Sequence, residues 1–180
     1  MMTAQIANGG FAVKPKIIVD SNPISYEDAK QSMESGLLFD TDSEELLDKK
    51  LFKNQKNIKI VQEAMFASTN ERFGTSYKSR IDDPKYQFAG KTGTAQVKRI
   101  SKRERELDLE LEQIPYKDRD HALYVAYGPY ANPRYALSII VEHGGSGSKA
   151  AAPIAKKLFK LIIDRHDLRN KQSNFERITV

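Results

Sequence analysis

Phe88-Ala89-Gly90-Lys91-Thr92-Gly93-Thr94-Ala95-Gln96-Val97 is the stretch around which the rest of the chain can be organised. With Tyr86 and Gln87 before it, it reads as an extended strand with small residues at its centre. Glycine inside a strand gives up side-chain packing, and a frequent compensation is close approach of a ligand or of another backbone. Lys91 offers a fixed positive charge, and Thr92 and Thr94, at alternate positions, can face one side and grip a carboxylate. Gly93 keeps the gap between them open. The Thr94 backbone N–H could then point at an acyl oxygen and stabilise a developing oxyanion. Lys-Thr-Gly alone is too short to be specific, and a plain surface strand with this spelling is the bland alternative.

The flanks carry the reading further. After the strand, residues 122–127 and 135–142 are two compact strand signals separated by Gly128-Pro129-Tyr130-Ala131-Asn132-Pro133, which predicts an antiparallel hairpin. Gly144-Gly145-Ser146-Gly147-Ser148 breaks the second strand. Over 150–164, Ile154, Leu158, Phe159, Leu161 and Ile162 fall on one side and lysines on the other, an amphipathic closing helix. Before the strand, Ile58, Val61, Ala64, Met65 and Ala67 recur at helical spacing and stop before Gly74. At the N-terminus MTAQIA reads as a helix ended by Asn8-Gly9-Gly10, and a helix that starts at residue 1 suggests a cut in a longer chain.

Other segments are less informative. Ile17, Ile18 and Val19 favour a short strand beside Pro15, and residues 20–56 read as polar loops with one or two short helices, such as 43–52. Residues 98–120 form a charged excursion, read as a surface arm. Its basic run, Lys98, Arg99, Lys102, Arg103 and Arg105, is followed at once by acidic residues and lacks stacking aromatics, so a solvated arm is preferred to a phosphate or lipid contact. The tail 166–180 is expected to be disordered.

Composition bounds the function classes. The 180 residues, 39% apolar, suit one modest globular core. A net charge of +5 from 29 basic and 24 acidic residues is a small imbalance, and no nucleic-acid partner is expected. With no cysteine, disulfides and thiolate metal sites are excluded, and the redox compartment stays open. His121, His143 and His166 are scattered without accompanying carboxylates, so no metal and no cofactor are expected. No stretch resembles a signal peptide or approaches the ~20 apolar residues of a membrane span.

The ordered set of an Ala-Asn-Gly-Gly helix stop, a Met-containing helix before Gly74-Thr75, the AGKTGTAQV strand and the EHGGSGS turn into the last helix resembles the class B penicillin-binding proteins of the penicillin-binding protein 2 family. The likeness covers roughly residues 1–165 and is specific around 88–97 and 141–159. It implies an α+β fold, part of the penicillin-binding protein/β-lactamase-like transpeptidase architecture, with an antiparallel sheet of three C-terminal strands packed with helices. It also implies that Lys91 supports the electrostatics of an active serine. Thr92 and Thr94 would bind the carboxylate of a peptidoglycan stem peptide or a β-lactam beside Gly93, with the Thr94 N–H in the oxyanion hole.

The family's catalysis also needs Ser-x-x-Lys and Ser-x-Asn or Ser-x-Asp, in that order, before Lys-Thr-Gly. Ser146-Gly147-Ser148-Lys149 has the first spacing but follows the strand, and is read as a helix cap. Ser68-Thr69-Asn70 has the second, but lies only about twenty residues before Lys91 and is read as a polar helix terminus. Residues 1–165 are therefore expected to be the C-terminal part of a transpeptidase domain without its nucleophile. That part would be inactive alone and would leave sheet edges exposed. An intact protein would act at the periplasmic face of the cytoplasmic membrane, held there and exported through residues outside this chain, which alone could remain cytoplasmic. The rival readings are a degenerate or split gene product, an interaction module docking on a separate upstream half, and, remotely, a serine hydrolase using Ser146.

Overall fold

The computed structural model describes residues 1–13, 15, 51–98 and 109–178, with side chains to Arg169. The strand around residue 17, most of the polar 20–56 segment with its expected helices, and the basic run beyond Lys98 lie outside these residues.

Helix α1 (Met2–Ala7) stops where the Asn8 side chain accepts from the N–H groups of Gly10 and Phe11, at 3.2 and 3.0 Å. Gly9 and Gly10 then adopt φ of +86° and +95°, which glycine enters without the Cβ penalty. Helix α2 (Gln55–Asn70) begins at Asn54, whose side chain accepts from the Lys56 N–H at 2.9 Å. Its far end is tied to the sheet, because the Asn70 amide donates to the carbonyls of Phe66 (3.0 Å) and Phe88 (2.9 Å).

Strands β1 (Ala89–Ala95), β2 (His121–Gly128) and β3 (Tyr135–Val141) form an antiparallel sheet in the order β1-β2-β3. The sequence pattern extended the first strand over 86–97, but pairing is confined to Ala89–Ala95. At the start Tyr86 is in a turn, its N–H on the Asp83 carbonyl. At the end the Val97 N–H donates to the Asp120 carboxylate, and Lys98 pairs with Asp118 at 3.3 Å. These last contacts clip together the two stems of the charged excursion.

Strand alternation gives the sheet two unlike faces. Ala122, Tyr124 and Ala126 share one face with Leu137, Ile139 and Val141 and are covered by Ala151, Ala152, Ala155, Phe159 and Ile163. Phe88 joins this core by stacking on Phe159 at 4.8 Å between ring centroids. On the opposite face Ala89, Tyr127 and Val125 meet Met65 and Phe66 of α2 and Ile6 of α1. The fold is thus α+β, a three-stranded sheet between helices, as the likeness implied.

The closing helix α3 (Ala152–Ile178) follows a π-helical turn at Gly147–Ala151. It runs past residue 165, so the tail expected to be disordered is helical through Ile178. Lys85, in the loop before β1, fastens this helix by ion pairs to Asp164 (3.1 Å) and Asp167 (2.8 Å), and Tyr86 donates to Asp164 as well. These bonds hold both carboxyls below the usual aspartate range, Asp164 chiefly through Tyr86 and Asp167 chiefly through Lys85.

Tyr124 is the polar centre of the larger core. Its ring is fully buried, and its hydroxyl bonds to Thr69 (2.9 Å) and Ser76 (3.0 Å), joining β2 to the end of α2 and the loop beyond it. Burial raises its pKa above 10.0 against the opposing pull of those two bonds. A phenol that ionises less readily in the folded state contributes stability that is complete below its unfolded value and is lost as pH rises through its folded value. Stability is therefore expected to fall above about pH 10. In Tyr124→Phe that decline should be shallower, at a cost near neutral pH of about 1 kcal/mol by urea denaturation. An unchanged alkaline decline would remove Tyr124 as its source.

Candidate substrate-binding strand

β1 lies at the edge of the sheet, and among the described residues it pairs only with β2. Alternate backbone N–H and C=O groups of an edge strand point away from its neighbour and are open to an incoming extended chain. By strand register Thr92 and Thr94 lie on the Tyr124 face, opposite Tyr124 and Ala122, whereas Lys91 and Gly93 lie on the other, opposite Val125 and Leu123. Lys91 and Thr94 are exposed and Thr92 is half-buried.

The Lys91 ammonium bends over the strand edge, donating to the Thr92 carbonyl (2.8 Å) and to Thr92 Oγ1 (3.3 Å). Thr92 Oγ1 also bonds Thr75 Oγ1 at 3.3 Å, and Thr75 Oγ1 bonds Ser68 Oγ at 3.2 Å. One cation and three hydroxyls therefore form a continuous polar run at the edge. Such a set can donate several bonds to a carboxylate, which takes only donors. Sequence reasoning did not place Ser68 or Thr75 in this group. Gly74-Thr75 stood out only as a landmark, and Ser68 only through a different motif.

Two glycines set the strand's surroundings. A Cβ on Gly90 would lie 2.3 Å from the Tyr124 hydroxyl, so this glycine makes room for the buried phenol. Gly147, in the turn before α3, packs against the strand itself, since a Cβ there would lie 2.7 Å from the Gly93 carbonyl oxygen and 2.4 Å from that of Leu123. The backbones of Gly147 and Gly93 thus lie against each other through the missing Cβ of Gly147, whereas a Cβ on Gly93 would meet only Leu123 Cβ at 3.3 Å.

Both motif look-alikes have structural occupations. Ser68 bonds Thr75, the Thr69 hydroxyl bonds Tyr124, and Asn70 ties α2 to Phe88, so this triplet is a helix end knitted to the core. Ser146 holds the N-cap position of the π-helical turn, but its hydroxyl bonds Ser148 Oγ at 3.0 Å rather than a helix N–H. Its backbone carbonyl accepts the first bonds of the turn, from the N–H groups of Ala150 (2.8 Å) and Lys149 (3.2 Å). The expected side-chain cap is not made.

The histidines are less scattered than the sequence suggested. His121 Nδ1 accepts from the His143 N–H at 3.0 Å, the rings are 4.8 Å apart, and His143 Nδ1 bonds the Arg119 carbonyl at 2.9 Å. His143 has φ of 54°, and this pair fixes the turn that leads to Gly147. No cluster of three metal-ligating side chains occurs among the described residues.

The family model described as the penicillin binding protein transpeptidase domain matches residues 1–160, and the chain belongs to that family. Within it the likeness is to penicillin-binding protein 2. The peptidoglycan D,D-transpeptidase MrdA of Salmonella typhimurium (strain SL1344) is 37% identical over 105 residues, 58% of this chain and 16% of that protein. MrdA of Acinetobacter baumannii (strain ATCC 19606) is 42% identical over 77 residues, 41% of this chain and 11% of that protein. The crystal structure of Pseudomonas aeruginosa PBP2 in complex with WCK 5153 superposes with a TM-score of 0.59 at 28% identity, covering 89% of this chain and 28% of that one. The chain therefore spans about a sixth of the length of the Salmonella relative.

Proposed function

We propose that this chain is the substrate-binding wall of a peptidoglycan D,D-transpeptidase, the C-terminal part of its catalytic domain, and that it binds stem peptides and β-lactams along β1. The observation that carries this reading is the edge strand that bears Lys91, Thr92 and Thr94, with Thr92 bonded to both Lys91 and Thr75, in a chain matched by the family model. Lys91 holds the electrostatics of the nucleophile, Thr92 and Thr94 receive the substrate carboxylate, and Gly93 leaves the strand narrow between them. The Thr94 N–H receives the oxyanion. The acylated serine belongs to a separate Ser-x-x-Lys segment, because the Ser146 hydroxyl is engaged with Ser148 and no lysine ammonium bonds it among the described residues. The reaction takes place on the outer side of the cytoplasmic membrane, where its wall substrate lies. No helix among the described residues is long and apolar enough to cross a membrane.

Labelling with a fluorescent penicillin tests this. The purified chain alone should take up no covalent label. Co-expressed with the Ser-x-x-Lys half of a penicillin-binding protein 2 relative, it should restore an adduct on that half, and Lys91→Met or Thr94→Val should abolish the restoration. An adduct on Ser146 of the isolated chain would sink the assignment and support the hydrolase reading.

A further inference from the structure

A groove of about 750 Å³ lies between the Tyr77–Ser79 turn and the first turns of α3, sharing Thr75 with the polar run described above. Six cations line it: Arg72, Lys78, Lys149, Lys156, Lys157 and Lys160. The last three share one helix face through their i, i+1 and i+4 spacing, opposite the Ala155, Phe159 and Ile163 face that packs on the sheet. No carboxylate lines the groove. Of the nearby acids, Asp82 pairs with Arg80, and Asp164 and Asp167 pair with Lys85, while Glu71 is the exposed chain neighbour of Arg72. Asp164, one turn beyond Lys160, is the acid whose field reaches the groove's rim, and Lys160 in turn helps hold its carboxyl ionised.

Six like charges around one concavity repel one another, and lysines four apart on a helix weaken it. A concave field of one sign concentrates counter-ions of the other. The volume is that of a small-molecule site rather than of a flat surface. Hydroxyls complete the lining: Ser148 in the π-helical turn before α3 and Thr75 on the opposite wall. Ammonium, guanidinium and hydroxyl donors around one cavity are the set that grips phosphate oxygens. Thr75 is also the residue whose Oγ1 bonds Thr92, so an anion here would lie one side chain from the Lys91–Thr94 strand.

We infer that the groove formed by the Tyr77–Ser79 turn and the lysine face of α3 binds an oligophosphate, a ligand with at least two linked phosphate groups. Phosphate borne free and phosphate borne on a lipid share this chemistry. The inference stands on charge and shape and does not depend on the acyl-transfer role of Lys91.

The test is calorimetric titration of the full chain with inorganic pyrophosphate. One saturable site is expected, weaker for orthophosphate and lost in about 1 M salt, where screening is nearly complete at contact distances. Lys78→Gln/Lys157→Gln takes one exposed cation from each wall and should weaken binding about tenfold or more. Lys56→Gln/Lys59→Gln on exposed positions of α2 should leave it unchanged. Circular dichroism confirms that both variants keep the helices. Binding of the chain to phosphatidylcholine vesicles that carry a polyprenyl diphosphate, displaced by pyrophosphate, would assign the lipid-borne source. The inference is overturned by absence of saturable binding, by equal weakening in both variant pairs, or by vesicle binding that pyrophosphate does not displace.

Discussion

Gly147→Ala is expected to lower the thermal midpoint by roughly 6–12 °C, the equivalent of about 3 kcal/mol in a chain of this size. The new methyl would sit 2.4 Å from the Leu123 carbonyl oxygen, 2.7 Å from that of Gly93 and 3.2 Å from the Gly93 nitrogen. All three are backbone atoms of residues paired across the β1–β2 ladder, so none can swing aside as a side chain would. Relief requires either that the turn before α3 withdraws or that β1 moves at Gly93. Movement of β1 would shift the Thr94 N–H, so restored penicillin labelling in the co-expressed system should fall together with stability. Gly93→Ala makes the contrast. Its methyl meets only Leu123 Cβ at 3.3 Å, a contact a small shift can relieve, and the loss should be smaller although Gly93 is the glycine within the motif. Equal midpoints for Gly147→Ala and the parent chain would show that the close approach of the two backbones is wrong.

Phe159→Ala is expected to cost about 3–5 kcal/mol by urea denaturation, the largest effect of any single truncation proposed for this chain. Phe159 is fully buried, stacks on Phe88 and contacts Gly128, where an added Cβ would lie 3.0 Å from its ring. It is the residue through which α3 holds both the entry to β1 and the end of β2. Leu161, two positions on and 64% exposed, is the control, and Leu161→Ala should change stability by no more than about 0.5 kcal/mol. Similar losses at both positions would mean that α3 is not seated on the sheet as described.

This contrast shows where the sequence pattern was ambiguous. The apolar positions assigned to one side of the closing helix included Ile154 and Leu161, yet both are exposed, and the buried line is Ala151, Ala152, Ala155, Phe159 and Ile163. Small alanines carry the close contact. A periodicity reading weighted by side-chain size passes over them, although a helix can approach a sheet closely only where its side chains are small. The extent of α3 was underestimated for a related reason. Beyond residue 165 the segment is polar, and a pattern that depends on apolar spacing ends there although the backbone remains helical to Ile178.

What the sequence determined by itself were the features governed by neighbours along the chain. The two-residue alternation of Lys91, Thr92, Gly93 and Thr94, the 3.6-residue recurrence before Gly74, the Asn8-Gly9-Gly10 stop and the Gly-Pro break of the hairpin are local, so the helices, the three strands and the candidate binding strand could be read directly. Tertiary structure alone decided what those elements touch. It placed Thr75 and Ser68 beside Thr92, Tyr124 between Thr69 and Ser76, His121 against His143, Gly147 behind Gly93, and the lysines of α3 opposite Lys78. Most of these partners are separated by many residues, and their meeting depends on sheet register and on the seat of a helix. No local periodicity encodes either of those.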